Sequence, residues 1–98
     1  MTKIYVMETC RGCTYVEEQI KGSQDFEIID IGSHVLKLRE FLMLRDSNPA
    51  FEAVRRAGRV GIPCFVFEDG RVSLSPEDAG LVSRPSGGAA CRLDGTGC

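Results

Sequence analysis

Two cysteines separated by two residues, Cys10-Arg11-Gly12-Cys13, form the motif in this chain best suited to chemistry. That spacing lets one sulfur attack a mixed disulfide on the other and expel a bound thiol. The same spacing is also half of a zinc site, which needs a second pair or histidines to close it. The chain has a single histidine, His34, at an expected helix start. Cys64 stands alone, and Cys91 and Cys98 lie near the C-terminal end. Five cysteines cannot all pair within one chain, and grouped thiols in a reducing compartment point to redox chemistry or metal.

Position makes the first motif sharper. Residues 3–7 (Lys-Ile-Tyr-Val-Met) read as a strand apolar on both faces. A helical pattern runs from Cys13 to about Lys21, with Val16 and Ile20 on one face and Gly22 as its cap. Cys10 therefore sits at a helix N-terminus, where free N–H groups and the helix dipole favour a thiolate. Arg11 adds a positive charge beside it. Cys10 is expected to be the more exposed nucleophile and Cys13 the more buried resolving thiol.

Phe26 to Ile31 reads as a second strand, which makes a parallel βαβ unit. Residues 33–58 read as two consecutive helices or one bent helix. Ser33 is the expected cap of the first, and Val35, Leu38, Phe41 and Leu42 form its stripe. Leu36, Met43 and Leu44 widen that stripe, as in a core helix or, if exposed, a dimer or partner surface. Asn48-Pro49 starts the next helix, with Phe51, Val54 and Ala57 on one face and Gly58 at its end. Cys64–Glu68 and Arg71–Leu74 read as a hairpin around Asp69-Gly70, with Cys64 as a small apolar strand residue. Ser75-Pro76-Glu77-Asp78 opens a short helix to about Val82. From residue 84 the pattern gives way to Pro, Ser, Gly and Ala.

The composition fits one globular domain. The chain has 98 residues, 43% hydrophobic and 27% charged, and a formal charge of −2. The absence of a basic block argues against nucleic acid as the partner. No apolar run is long enough to span a bilayer, and the first residues enter a strand pattern with no signal peptide, so a cytoplasmic location is expected.

Gly61-Ile62-Pro63 precedes the third strand, where a proline is tolerated. With the Cys10–Cys13 motif after the first strand and the ββα ending, the chain resembles the glutaredoxins of the thioredoxin-fold superfamily over about residues 3–82. The resemblance implies a mixed four-stranded α/β sheet flanked by helices, βαβ-α-ββα. It assigns residues 1–83 to a glutaredoxin-like domain and 84–98 to a flexible, Gly-rich, Cys-containing tail. It also implies a cis Pro63 facing Cys10 and an Ile62 backbone that pairs with an extended thiol substrate such as glutathione. The region of Ser75 and Glu77 would hold a glutathione carboxylate at a helix N-terminus.

The departures are specific. Common glutaredoxins carry Pro-Tyr where Arg11-Gly12 stand, and a lysine before the motif where this chain has Glu8. Leu74-Ser75-Pro76-Glu77-Asp78 replaces their Gly-Gly and aspartate. Glu8 repels a glutathione carboxylate, and Arg11 can compensate.

The function expected is a thiol–disulfide oxidoreductase acting on protein or small-molecule disulfides, with Cys10 as nucleophile and Cys13 as resolving thiol. Arg11, Ile62, Pro63, Ser75 and Glu77 are the expected substrate contacts. No tightly bound cofactor is expected; glutathione would be a co-substrate, and glutathione or a thioredoxin-reductase-like enzyme the electron donor. Neither nucleic acid nor membrane is an expected partner. The alternative is a metal-binding module, holding an iron–sulfur cluster or zinc through Cys10 and other cysteines. A third reading, a relative of the arsenate-reductase-like thioredoxin folds, lacks the arginine it needs where Ile62 stands. Cys91 and Cys98 bracket Asp94-Gly95, so they read either as incidental thiols of a frayed tail or as an accessory redox pair.

Overall fold

A computed structural model of the chain describes residues 1–83. The expectations for residues 84–98, Cys91 and Cys98 among them, lie outside the described residues. The strands are β1 (Thr2–Val6), β2 (Phe26–Asp30), β3 (Cys64–Val66) and β4 (Val72–Ser73). The α-helices are α1 (Arg11–Gln19), α2 (Val35–Ser47) and α3 (Glu52–Ala57). They form an α/β fold around a mixed four-stranded sheet of order β2-β1-β3-β4. β1 and β2 are parallel; β3 runs antiparallel to both β1 and β4.

The register sorts the core into two layers. Ile4 lies opposite both Ile28 and Phe65, and Tyr5 lies opposite Ile29 and Cys64. Facing partners share a side of a sheet, and neighbours along a strand alternate. Phe41 of α2 packs on Tyr5, with ring centroids 5.7 Å apart, and on Phe51 at 5.8 Å. α2 therefore covers the Tyr5 side, and α1 lies on the Ile4 side, where Ile20 lines a groove with Phe26 and Ile28. The Tyr5 hydroxyl donates to Glu40 of α2, and burial is the main reason its pKa is raised.

Several expectations need correction. α2 is capped by His34, whose Nδ1 accepts the Leu36 N–H at 3.0 Å; Ser33 instead donates to the Asp30 carbonyl. Of the two arrangements expected for residues 33–58, two consecutive helices is the one present, α2 and α3 being joined by a 3-10 turn, Pro49–Phe51. In α2 only Phe41 is fully buried, while Val35, Leu36, Leu42 and Met43 are exposed. The hairpin beneath the helix has strands of only three and two residues, too little sheet to cover a wide stripe. Ala57 is likewise exposed. α1 ends at Gln19, capped by Ile20, so Gly22 serves the following turn with φ +85°. The helix expected from Pro76 to Val82 is one 3-10 turn, Pro76–Ala79, stopped by Gly80 at φ +79°. Among the described residues no helix is long and apolar enough to cross a membrane.

Candidate functional site

β1 delivers the chain to the start of α1 through a tight turn in which the Cys10 N–H donates to the Met7 carbonyl at 3.0 Å. Cys10 is the N-cap of α1, with φ −83° and ψ 114°. Its Sγ accepts the Cys13 N–H at 3.2 Å, the contact that serine or aspartate usually makes at this position. Hydrogen bonding lowers the Cys10 pKa to about 7. The Cys13 thiol is the largest cause, and the Cys13 and Gly12 N–H groups add to it against the opposing effect of burial. The Cys13 pKa moves up, because its thiol donates to Cys10 and because it is buried. The two sulfurs are thus inequivalent: one accepts hydrogen bonds as an anion, and the other holds its proton.

Two expectations change in detail. Cys10 is itself buried, at 6% exposure, although Cys13 at 0% is more so. Arg11 is exposed and is not among the main causes of the Cys10 shift. Glu17, one turn beyond Cys13, pushes both thiol pKa values up, against the shift at Cys10 and with the shift at Cys13. Its own carboxyl pKa is raised by burial and by Asp30.

The Ile62–Pro63 peptide is cis, and Pro63 reaches the start of α1: a Cβ built on Gly12 would stand 3.9 Å from Pro63 Cδ. Ile62 is buried. Two residues hold this loop: Gly61, part of the motif noted in the sequence but without this role, and Arg45, which sequence reasoning missed. Gly61 has φ +97°, and a Cβ there would lie 2.8 Å from Phe51 Cε1. Arg45, in the last turn of α2, donates from Nε to the Val60 carbonyl at 2.9 Å and from Nη2 to the Arg59 carbonyl at 2.6 Å. The only signal of that role was a basic residue at a helix end.

No known family profile matches this chain, and no solved structure matches it. A protein of Haemophilus influenzae, described only as uncharacterized, is 29% identical to it over 72 residues. That match covers 72% of this chain and 84% of that protein.

Cys64 is fully buried, and burial pushes its thiol pKa up to about 12. It shares the Tyr5 side of the sheet, away from α1. Ser75 and Glu77 are engaged with their own neighbours. Ser75 donates its hydroxyl to Glu77 at 3.0 Å, and Glu77 accepts both the N–H and the hydroxyl of Ser83 at 2.8 Å. The Ser83 hydroxyl is the largest cause of a Glu77 pKa lowered to about 2. The Ser75 N–H goes to Ser73 Oγ, so this segment is a closed network rather than an open helix end. Among the described residues, no three or more His, Cys, Asp or Glu side chains gather as metal ligands would. A cavity of about 950 Å³ lies on the far side of the sheet between α2 and the β3–β4 hairpin, and no cysteine lines it.

Proposed function

We propose that this chain is a thiol–disulfide oxidoreductase of the glutaredoxin kind, with a thioredoxin-like fold, acting on protein or small-molecule disulfides. The observation that carries the reading is the inequivalence of the two sulfurs at the head of α1. A thiolate is the attacking species, and a pKa near 7 keeps much of Cys10 ionised at neutral pH without making it a poor nucleophile.

The Cys10 thiolate attacks one sulfur of a substrate disulfide. A Cys10–substrate disulfide forms, the substrate S–S bond breaks, and the other substrate sulfur leaves as a thiolate that takes a proton from solvent. Cys13 then gives up its proton and attacks Cys10 Sγ. The Cys10–Cys13 disulfide forms and the second substrate thiolate leaves. The substrate has gained two electrons, which a thiol donor must return, either two molecules of glutathione or a reductase. The Ile62 backbone beside Pro63 is the pairing edge for an extended substrate. Arg11, the next residue in the chain, is an exposed cation that can meet a substrate carboxylate. With Ser75 and Glu77 tied to Ser83, glutathione would be a co-substrate without a dedicated carboxylate pocket at that turn. A reducing cytoplasm is the setting in which such a pair returns to its dithiol form.

Reduction of hydroxyethyl disulfide tests the reading. Cys10→Ser should be inactive, and Cys13→Ser should accumulate a mixed disulfide at Cys10 visible by mass spectrometry. Full activity in Cys10→Ser would sink it.

A further inference from the structure

A groove of about 520 Å³ runs along one flank of α1, from Glu8 beside the Cys10 loop to Gly22 beyond the helix end. Its opposite wall is β2, which presents Phe26 and Ile28. Ile28 is 44% exposed, an aliphatic side chain left open in mid-strand. β2 is also an outermost strand, and among the described residues its free edge is unpaired. Such an edge offers backbone N–H and C=O groups to any extended chain laid beside it.

The rim of this groove is predominantly acidic. Glu8, Glu17 and Glu18 line it against a single cation, Lys21. None of the three acids is in a salt bridge among the described residues. Asp30 adds to the crowding, because it raises the pKa of Glu17. An apolar floor beside a strand edge suits an extended polypeptide, and an acidic rim suits lysine or arginine. The groove also begins two residues from the reactive sulfur.

We propose that this groove docks an extended basic segment of the disulfide-bearing protein that Cys10 attacks. The segment lies along β2, with its backbone against the free edge and an apolar side chain over Phe26 and Ile28. Its cations meet Glu8, Glu17 and Glu18. The identity of the partner as a disulfide substrate rests on the proposed thiol exchange; the docking itself involves no covalent step.

The test uses the full chain and two fluorescent cysteine-free peptides that carry Val and Lys, or Val and Glu, in turn at every second position with Thr between, so that both side chains face the groove. The lysine peptide should bind at low salt at least about tenfold more tightly than the glutamate peptide, and 0.5 M NaCl should erase the difference. Glu18→Lys and, separately, Glu8→Gln should each weaken lysine-peptide binding several-fold, and the peptide should shift backbone amide NMR signals of residues 26–30. Equal binding of both peptides, or lysine-peptide binding indifferent to both variants, would overturn the proposal. The same peptides carrying a mixed disulfide then separate the two readings. Reduction of both at one rate defeats the groove and leaves thiol exchange standing. Charge-selective binding with no reduction of either defeats thiol exchange and leaves the groove standing.

Discussion

A single hydrogen-bonding choice separates the two thiols of this chain. Cys10 accepts from the Cys13 N–H and the Cys13 thiol, so the shared proton resides on Cys13. Alkylation by iodoacetamide should therefore rise with pH through a midpoint near 7 and label Cys10 ahead of Cys13 and Cys64. Liquid chromatography with peptide mapping reads this directly. The same shift has a consequence for stability. The folded pKa lies below the unfolded one, so ionised Cys10 contributes fully above about pH 9, and that contribution fades as pH falls through 7. Cys64 behaves oppositely, because its thiol is held neutral by burial. Cys64→Ser places a hydroxyl in a fully buried site, at a cost of about 1–3 kcal/mol. Chemical denaturation should show that loss while the Cys10 alkylation profile stays unchanged.

At the scale of elements, the parts legible in sequence are those set by local patterns. The Cys10–Cys13 motif falls between a strand and a helix, and Pro63 opens a strand; both readings needed only neighbouring residues. The parts that were not legible depend on distant chain. Helical spacing marks Val35, Leu36, Leu42 and Met43 as apolar, but it does not reveal how little sheet lies beneath them. Gly80 stops the last turn through its backbone conformation, which outweighs the helical start signals of Ser75 to Asp78. The hold of Arg45 on residues 59 and 60 joins positions far apart through main-chain carbonyls that no side-chain pattern reports. Arg45→Ala should lower stability by about 1–2 kcal/mol and slow disulfide reduction, since the loop it holds carries Ile62 and Pro63. If a turnover assay shows no loss, that loop is positioned by Gly61 and Phe51 alone.

Across the whole molecule, α2 is attached to the sheet at few points. Phe41 is its one fully buried side chain, touching Tyr5 on the sheet and Phe51 before α3. Phe41→Ala should cost about 3–5 kcal/mol, a large share of the roughly 5–15 kcal/mol typical of a domain. Met43→Ala, on the open side of the same helix, should cost under about 0.5 kcal/mol. Urea denaturation of the two variants checks the contrast, and similar losses would mean that the outer face of α2 is covered in solution.

The hook that Arg45 makes is blind to side chains. It grips carbonyl oxygens, which every amino acid supplies, so the residue types at positions 59 and 60 are free to change without loosening the loop. Position 45 has no such freedom, because a lysine offers one donor point where the guanidinium offers a fork. Among descendants of this sequence, diversity should therefore gather at 59 and 60 while 45 stays arginine. A library randomised at all three positions and selected for thiol exchange should return that same asymmetry.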